Sequence, residues 1–432
     1  IKGILWELLG NFPKAVKDYQ TSFDRNSNNI IALQYSAHLT STMGDYPRAK
    51  EIFKRFFQTR EEGKNPYSIR RGFLGFRDRF DDIKLLENLK DLSDENVNQN
   101  NLLLGLYYFS IYDLEKALKW FGKVSNPTIP LQILKFIAQY HSYNDSSISD
   151  NLAALQVDNG DEIFQKTNQL LSSLKYSKFK SEIRPFPYNA DIPERLNEIT
   201  RNIQGWLDRC EGNLLYQVAK RIEKRENQQV SIAEIGAFLG RSTIFITQAL
   251  KESKNGGYLY SIDPHKGIPY YHPEPTLKKF LENLERVNLQ EMVHVERGTS
   301  KEWARKINEQ FSMIFIDGDH RYEMVKEDFS LWQKKLMEEG YIAFHDAVLE
   351  GPFKVILEAL ESNQWDFLQM VGNIALIQKK TVDNSKNRNL LTLLNLILLH
   401  INRYFHQNFV KNDRESMKKE VLELLNLMKF RV

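Results

Sequence analysis

The sequence holds a single cysteine in 432 residues. Cys210 therefore has no partner for an internal disulfide and cannot supply a multi-cysteine zinc site, and such sparse usage fits a reducing, cytoplasmic setting. No base stands beside it in Trp206-Leu-Asp-Arg-Cys210-Glu211-Gly212, so a structural role is expected. Charge of one sign is also lacking. Lys and Arg total 59 against 56 Asp and Glu, a formal +3, which gives no reason to expect nucleic acid as a partner. Long hydrophobic runs are missing too: the most apolar, Leu390 to Ile401, is interrupted by Thr392, Asn395 and His400, and a bilayer needs about 20 residues. It reads as a core or interface helix, and no membrane association is expected. No signal peptide is visible, and a chain that starts at Ile1 leaves an upstream segment open.

What is present is ample material for burial, with 42% hydrophobic and 12% aromatic residues. The length is about three times a common domain of ~150 residues, so two or three domains are expected. The first third is periodic at 34 residues. Phe12, Tyr46, Phe80 and Leu114 fall on that offset, as do Ala15, Ala49, Ile83 and Ala117, and Gly10 recurs as Gly44. Tyr19 recurs as Phe53 and, two periods later, as Phe121. Each unit reads as two helices around a tight turn, with an aromatic between them and an alanine at their closest approach. One such unit cannot bury its apolar face alone, but stacked neighbours can. The pattern resembles the tetratricopeptide repeat over residues 1–145, with a degenerate third unit. It is expected to serve a protein partner, a second copy of the chain, or simply spacing.

Residues 146–195 carry turn and loop signals such as Asp158-Asn-Gly160 and Arg184-Pro-Phe-Pro-Tyr188, so a hinge with short helices is expected there. From 196 to 380 the texture alternates. An amphipathic helical stretch (Pro193 to Lys224) precedes strand-like runs at Val230 to Ile235, Gly257 to Ile262, Val293 to Glu296, Met313 to Ile316, Tyr341 to Phe344 and Asn373 to Gln378, with helical patterns between most of them. That alternation predicts an α/β doubly wound, mostly parallel sheet. Residues 381–432 form a helical tail. Ligands of such sheets bind beyond the carboxyl ends of the strands, so the residues there are the candidates.

The first strand ends in Glu234-Ile-Gly236-Ala-Phe-Leu-Gly240-Arg-Ser242. Its glycines permit a tight turn and close approach of a ligand, and the amides of the following helix start suit a carboxylate. The four-residue glycine spacing is not the dinucleotide fingerprint. Asp263 ends the second strand, placed to accept ribose hydroxyls or to cap a helix. Gly298-Thr-Ser300 follows the third, with Ser300 alternatively an N-cap for a helix starting near Lys301. The fourth and fifth strands end in Asp317-Gly-Asp319-His320 and His345-Asp346. Asp317, His320, His345 and Asp346 thereby meet at one edge, where oxygen and imidazole ligands suit one divalent cation such as Mg²⁺ or Mn²⁺. A lid or substrate loop is expected in the aromatic and proline-rich insertion Lys266 to Pro275.

Together these motifs resemble class I S-adenosylmethionine-dependent methyltransferases of Rossmann-like fold, in the branch with sugar and macrolide O-methyltransferases and cephalosporin-hydroxylase-like proteins. Gly205-Trp-Leu and Glu211 to Tyr216 resemble the leading helix of that family. The resemblance implies S-adenosylmethionine as cofactor. Gly236, Gly240 and Ser242 would contact its methionine part, Glu234 would lie near its amino group, Asp263 would take the ribose hydroxyls, and Gly298 to Ser300 would line the adenine. It implies Asp317, His345 and Asp346 as metal ligands, with His345 standing where related enzymes often carry a carboxylate, and His320 as general base beside Asp317. The expected activity is O-methylation of a small-molecule or glycan hydroxyl, the repeats serving partner binding or oligomerisation. A protein acceptor held by the repeats, or a scaffold without turnover, are the alternatives.

Overall fold

The computed structural model describes residues 12–25, 32–33, 35–37, 40, 45–60, 87, 94–125, 127, 129–143, 185–200, 203–224, 229–267, 274–381, 391–400 and 402–403. The chain divides into two compact units, one drawn from residues 1–138 and from 402 onward, the other from 139–401. The first unit contains helices α1 (Phe12–Arg25), α2 (Tyr46–Arg60), α3 (Asp94–Ser110) and α4 (Leu114–Phe121), and α5 (Ile129–Tyr143) runs across the sequence boundary. Ala15, Ala49 and Ala117 are completely buried. Between α3 and α4 the approach is close enough that a Cβ on Gly105 would lie 2.3 Å from the Phe121 ring. Asp113 starts α4 by accepting a hydrogen bond from the Lys116 amide at 3.3 Å, which satisfies one of the otherwise unpaired N–H groups of the first turn. Gly10, Gly44, Phe80 and Ile83 lie outside the described residues, as do residues 144–184, most of the 266–275 insertion, and residues 404–432.

The second unit opens with α6 (Glu194–Thr200) and α7 (Arg209–Arg221), followed by β1 (Ser231–Ile235), α8 (Arg241–Glu252), β2 (Tyr258–Asp263), α9 (Leu277–Arg286), β3 (Val293–Arg297), α10 (Ser300–Lys306) and β4 (Phe311–Ile316). It continues with α11 (Tyr322–Trp332), β5 (Leu336–Phe344), α12 (Glu350–Glu361), β6 (Trp365–Val371) and β7 (Ile374–Lys379). The seven strands form one mixed sheet in the order β3-β2-β1-β4-β5-β7-β6. Neighbours from β3 through β5 are parallel, and β7 pairs antiparallel with both β5 and β6. Strand order reverses between β1 and β4, which is where sheets of this kind hold their ligands. All five residues of β1 are buried, as befits a central strand covered on both faces. Beneath the turn after β1, a cluster of Ile203, Ala237, Leu239, Ile244, Phe280 and Leu284 fixes the loop to α8 and α9. Burying a side chain such as Phe280 in full contributes on the order of 2 kcal/mol.

Three sequence expectations are corrected here. The stretch Pro193 to Lys224 is two helices rather than one, because Asp208 and Glu211 form a capping box that starts α7 afresh. Ser300 is not the cap of its helix: Thr299 is, accepting from the Glu302 amide while Glu302 reaches back to the Thr299 amide. A seventh strand, β6, escaped the sequence reading because Asp366, Gln369 and the irregularity between Phe367 and Gln369 break both an apolar run and a strict alternation. The helix at 391–400 packs against that strand. Phe367 of β6 donates its amide to Thr392 Oγ1 at 2.9 Å, and its carbonyl accepts from Asn395 Nδ2 at 2.8 Å. These bonds occupy the sheet edge at the irregularity between Phe367 and Gln369, and so protect a strand end that would otherwise be open.

Candidate functional site

Backbone hydrogen bonds join the ends of five neighbouring strands into one row. Gly298 N donates to Asp263 O at 3.2 Å, Gly236 N to Ile262 O at 2.9 Å, Asp317 N to Ile235 O at 2.8 Å, and His345 N to Ile316 O at 3.0 Å. The candidates Gly236, Asp263, Gly298, Asp317 and His345 therefore lie side by side on a single edge of the sheet. Gly236 is where the two halves of that row meet. Its φ is +89°, and a Cβ there would fall 2.2 Å from the Asp317 carbonyl oxygen, so a side chain is excluded both by conformation and by space.

Around the turn after β1, Asp263 organises the backbone. Its Oδ2 accepts from the amides of Ala237 and Phe238, both at 2.9 Å, and its Oδ1 accepts from His265 N at 2.6 Å. Phe238 and His265 hold φ values of +48° and +53°, conformations uncommon outside glycine, and the shared carboxylate fixes both. Gly240, with φ +88°, starts α8. Glu234 is completely buried. Its Oε2 accepts from Thr243 Oγ1 at 2.6 Å and Ser261 Oγ at 3.1 Å, while Oε1 has no hydrogen-bond partner. Burial pushes its carboxyl up to about 7, against the opposing pull of hydroxyl donors that include Ser242. A buried acceptor without a donor fits a cofactor ammonium group, since such an atom is costly unless something fills its place. On the far side of the row, Gly298 packs against Trp303 and Glu302. Ser300 Oγ accepts from the Trp332 indole at 2.7 Å, so that hydroxyl ties α10 to α11.

The acidic and imidazole groups gather at the β4 and β5 ends. Ligand atoms of Asp317, His320 and His345 all lie within 4.8 Å of one another. His345 Nδ1 is 2.9 Å from Asp317 Oδ1 and 3.7 Å from Asp346 Oδ2, and His320 Nε2 is 3.7 Å and 3.5 Å from the same two oxygens. Neither of these ring nitrogens makes an aligned hydrogen bond, although both are shielded from solvent. Asp346 holds a φ of +47° at the end of β5. Burial would raise the Asp317 carboxyl, but the charge of His345 and the nearness of His320 outweigh it and hold Asp317 below its ordinary value. Burial would lower both histidines; the facing carboxylates reverse that, raising His320 and holding His345 well above its usual range. For Asp346 burial prevails over the two imidazoles, and its pKa is raised. Asp317 and the two imidazoles, with Asp346 beside both rings, fit a divalent cation, and the nitrogen share of the set suits Mn²⁺ or another transition ion better than Mg²⁺.

Two neighbours were not singled out for a role from sequence. Glu211, 1% exposed, places Oε2 3.2 Å from His345 Nε2. It lies inside a stretch read as one continuous helix, and its contact is with a strand end 134 residues away, which local pattern does not reveal. Trp206, 56% exposed, lies over Phe238 with ring centroids 5.4 Å apart. It thus puts an aromatic face at the rim of the turn after β1.

Residues 233–347 match a protein family described as a methyltransferase domain. Over 159 residues the chain is 30% identical to the uncharacterized protein R132 of Acanthamoeba polyphaga mimivirus, a match that covers 35% of this chain and 66%, just under two thirds, of that relative. Among solved structures, an O-methyltransferase from Bacillus cereus in complex with SAH aligns over 54% of this chain and 97% of its own, at 14% identity and a TM-score of 0.31. The SAH-bound methyltransferase PaMTH1 of Podospora anserina aligns over 52% and 100%, at 15% identity and a TM-score of 0.34. For the O-methyltransferase NovP the figures are 51% and 100%, 13% and 0.35. With the family match lying on the strands and turns that build the site, the second half of the chain carries a class I S-adenosylmethionine-dependent methyltransferase domain of Rossmann-like α/β fold.

Proposed function

We propose that this chain is an S-adenosylmethionine-dependent O-methyltransferase, assisted by a divalent cation, that acts on a hydroxyl of a sugar, glycan or polyol-like small molecule. The observation that carries this reading is the abutment of Gly236 on Asp317, which sets the cofactor turn directly against the cluster of aspartates and histidines. When bound, the cofactor supplies an electrophilic methyl group, and the cation lowers the pKa of acceptor oxygens.

The chain's own residues do the rest. Gly236, Gly240 and Ser242 shape the cradle for the methionine part, Glu234 offers Oε1 to its ammonium, and Asp263 braces the turn while facing the ribose. Gly298, with Ser300 behind it, borders the adenine. Asp317, His345 and Asp346 would hold the cation. His320 takes the hydroxyl proton at Nε2. Of the two imidazoles its side chain is the more exposed, 36% against 3%, and in its neutral form it can take up a proton. Held in this way, the acceptor oxygen is positioned for in-line displacement rather than encountered by diffusion. The exposed ring of Trp206 offers a stacking face for the pyranose or similar ring of the acceptor. The helical arm, read as tetratricopeptide-like repeats, brings a protein partner or a second copy of the chain to the enzyme.

The test is transfer of labelled methyl groups from S-adenosylmethionine to a panel of sugars and polyols. Methyl ethers should form, a chelator should stop the reaction, Mn²⁺ or Mg²⁺ should restore it, and His320→Ala should lower kcat by about 10²- to 10⁴-fold. Chelator-insensitive transfer, or label found only on nitrogen or carboxyl groups, would overturn the proposal.

A further inference from the structure

We propose that Glu211 is a positioning residue for the cation site: its Oε2 accepts a hydrogen bond from Nε2–H of His345 and so leaves Nδ1 as the ligand atom on the side of Asp317 and Asp346. This rests on the cation reading given above, and adds to it a residue from a different part of the chain.

The argument starts from the burial of a carboxylate. A second capping box in the same domain, Thr299 with Glu302, works with an exposed glutamate, so capping alone does not require burial. Glu211 is nonetheless 1% exposed, and an interior carboxylate is costly unless its oxygens are fully engaged. Here they are. Oε2 accepts from the Asp208 amide at 2.7 Å and faces His345 Nε2 at 3.2 Å, while Oε1 accepts from the Asn373 amide at 2.7 Å. Gly372 closes the cage, since a Cβ there would lie 2.5 Å from Oε1. The carboxylate is thus gripped from α7, from the β5 end and from the turn between β6 and β7, with no freedom to turn away from the imidazole.

The consequence falls on the ring. Without a cation both ring nitrogens face oxygens that can only accept, Nε2 that of Glu211 and Nδ1 that of Asp317; when a cation displaces one proton, the hydrogen bond to Glu211 keeps the other on Nε2, and Nδ1 is the atom freed to ligate. A carboxylate behind a ligating histidine fixes its tautomer and orientation and strengthens it as a donor. This is the support that His345 needs at a position where a carboxylate would ligate without one.

Glu211→Gln tests the idea because it keeps the shape and removes one acceptor oxygen. A single amide oxygen cannot serve both the Asn373 amide and the pair formed by Asp208 and His345. Mn²⁺ alone is titrated into the full-length chain and followed by the loss of the free-ion paramagnetic resonance signal. The expected result is a 10- to 100-fold weaker Mn²⁺ affinity in Glu211→Gln, with S-adenosylmethionine affinity held within about twofold as the sign of an intact fold. In a His345→Asp background, where no tautomer needs setting, the same Glu211→Gln change should weaken Mn²⁺ less than about threefold. Equal losses in both backgrounds would reduce Glu211 to a structural residue and overturn the proposal, as would an unchanged affinity in the single variant. Wild-type protein that takes up no Mn²⁺ would overturn the cation reading itself, and this proposal with it. If Glu211→Gln also loses the cofactor, the comparison moves to Glu211→Asp, whose shorter side chain keeps the charge but draws the oxygen back from His345 Nε2: an unchanged Mn²⁺ affinity would overturn the proposal, and a loss of about 10-fold that is absent in the His345→Asp background would support it.

Discussion

Glu234 illustrates how one buried side chain links the cofactor turn to the stability of the domain. Its carboxyl is moved from an ordinary 4.5 up to about 7, first by burial and then by Asp317, against the hydroxyls that hydrogen-bond to it. Between those two values the folded chain keeps a proton that the unfolded chain gives up. The contribution is therefore fully present below pH 4.5, and stability falls as pH rises through 7. We expect the cofactor-free protein to lose on the order of 3 kcal/mol from this group between pH 4.5 and pH 8, and Glu234→Gln to remove that part of the decline. Urea unfolding of both proteins at several pH values reads the difference; parallel curves would show that Glu234 is not the source. The turns that carry the candidates were legible in the sequence because each closes an apolar strand-like run. Glu211 was not, because it lies inside a stretch read as one continuous helix and its partner His345 is 134 residues away.

At the scale of elements, short segments are set by their ends. Helix α10 has only seven residues, too few to persist without its cap and its tertiary contacts. Thr299→Ala removes the hydroxyl that receives the Glu302 amide and should cost about 1 kcal/mol, measured as a lower denaturation midpoint with an unchanged slope. A cost near zero would mean that the Trp332 to Ser300 hydrogen bond, rather than the cap, holds the helix. Strand β4 and the parallel strands beside it were readable as apolar runs bounded by turn residues. Strand β6 was hidden by its buried polar residues Asp366 and Gln369 and the irregularity between Phe367 and Gln369, and the break between α6 and α7 was hidden by apolar residues within it, Ile203 and Leu207, which continue a helical pattern that the backbone does not follow.

For the whole molecule, the sheet and the helix at 391–400 belong to one unit, whereas the sequence divided them at residue 380. The reason lies in long-range contacts: Thr392 and Asn395 bond to Phe367, and Leu391, Leu394, Ile397 and Leu398 are buried. Such partners, chosen by tertiary packing, leave no mark in local periodicity. A fragment of residues 139–401, the second unit, should fold and bind S-adenosylmethionine about as tightly as the full chain, and one ending at residue 381 should be less stable by several kcal/mol, given roughly 1.5–3 kcal/mol for each large apolar side chain left uncovered. Thermal unfolding of the two fragments decides this; equal midpoints would contradict the assignment of that helix to the domain.

The central claim is that cofactor and cation occupy adjacent places on one edge of the sheet. The most direct measurement is a crystal structure of the chain grown with S-adenosylhomocysteine and Mn²⁺, with anomalous scattering used to locate the metal and the sulfur. The account predicts the metal among Asp317, His345 and Asp346, and the sulfur beside the turn at Gly236. Manganese bound elsewhere, or a cofactor remote from Asp263 and Gly236, would contradict it.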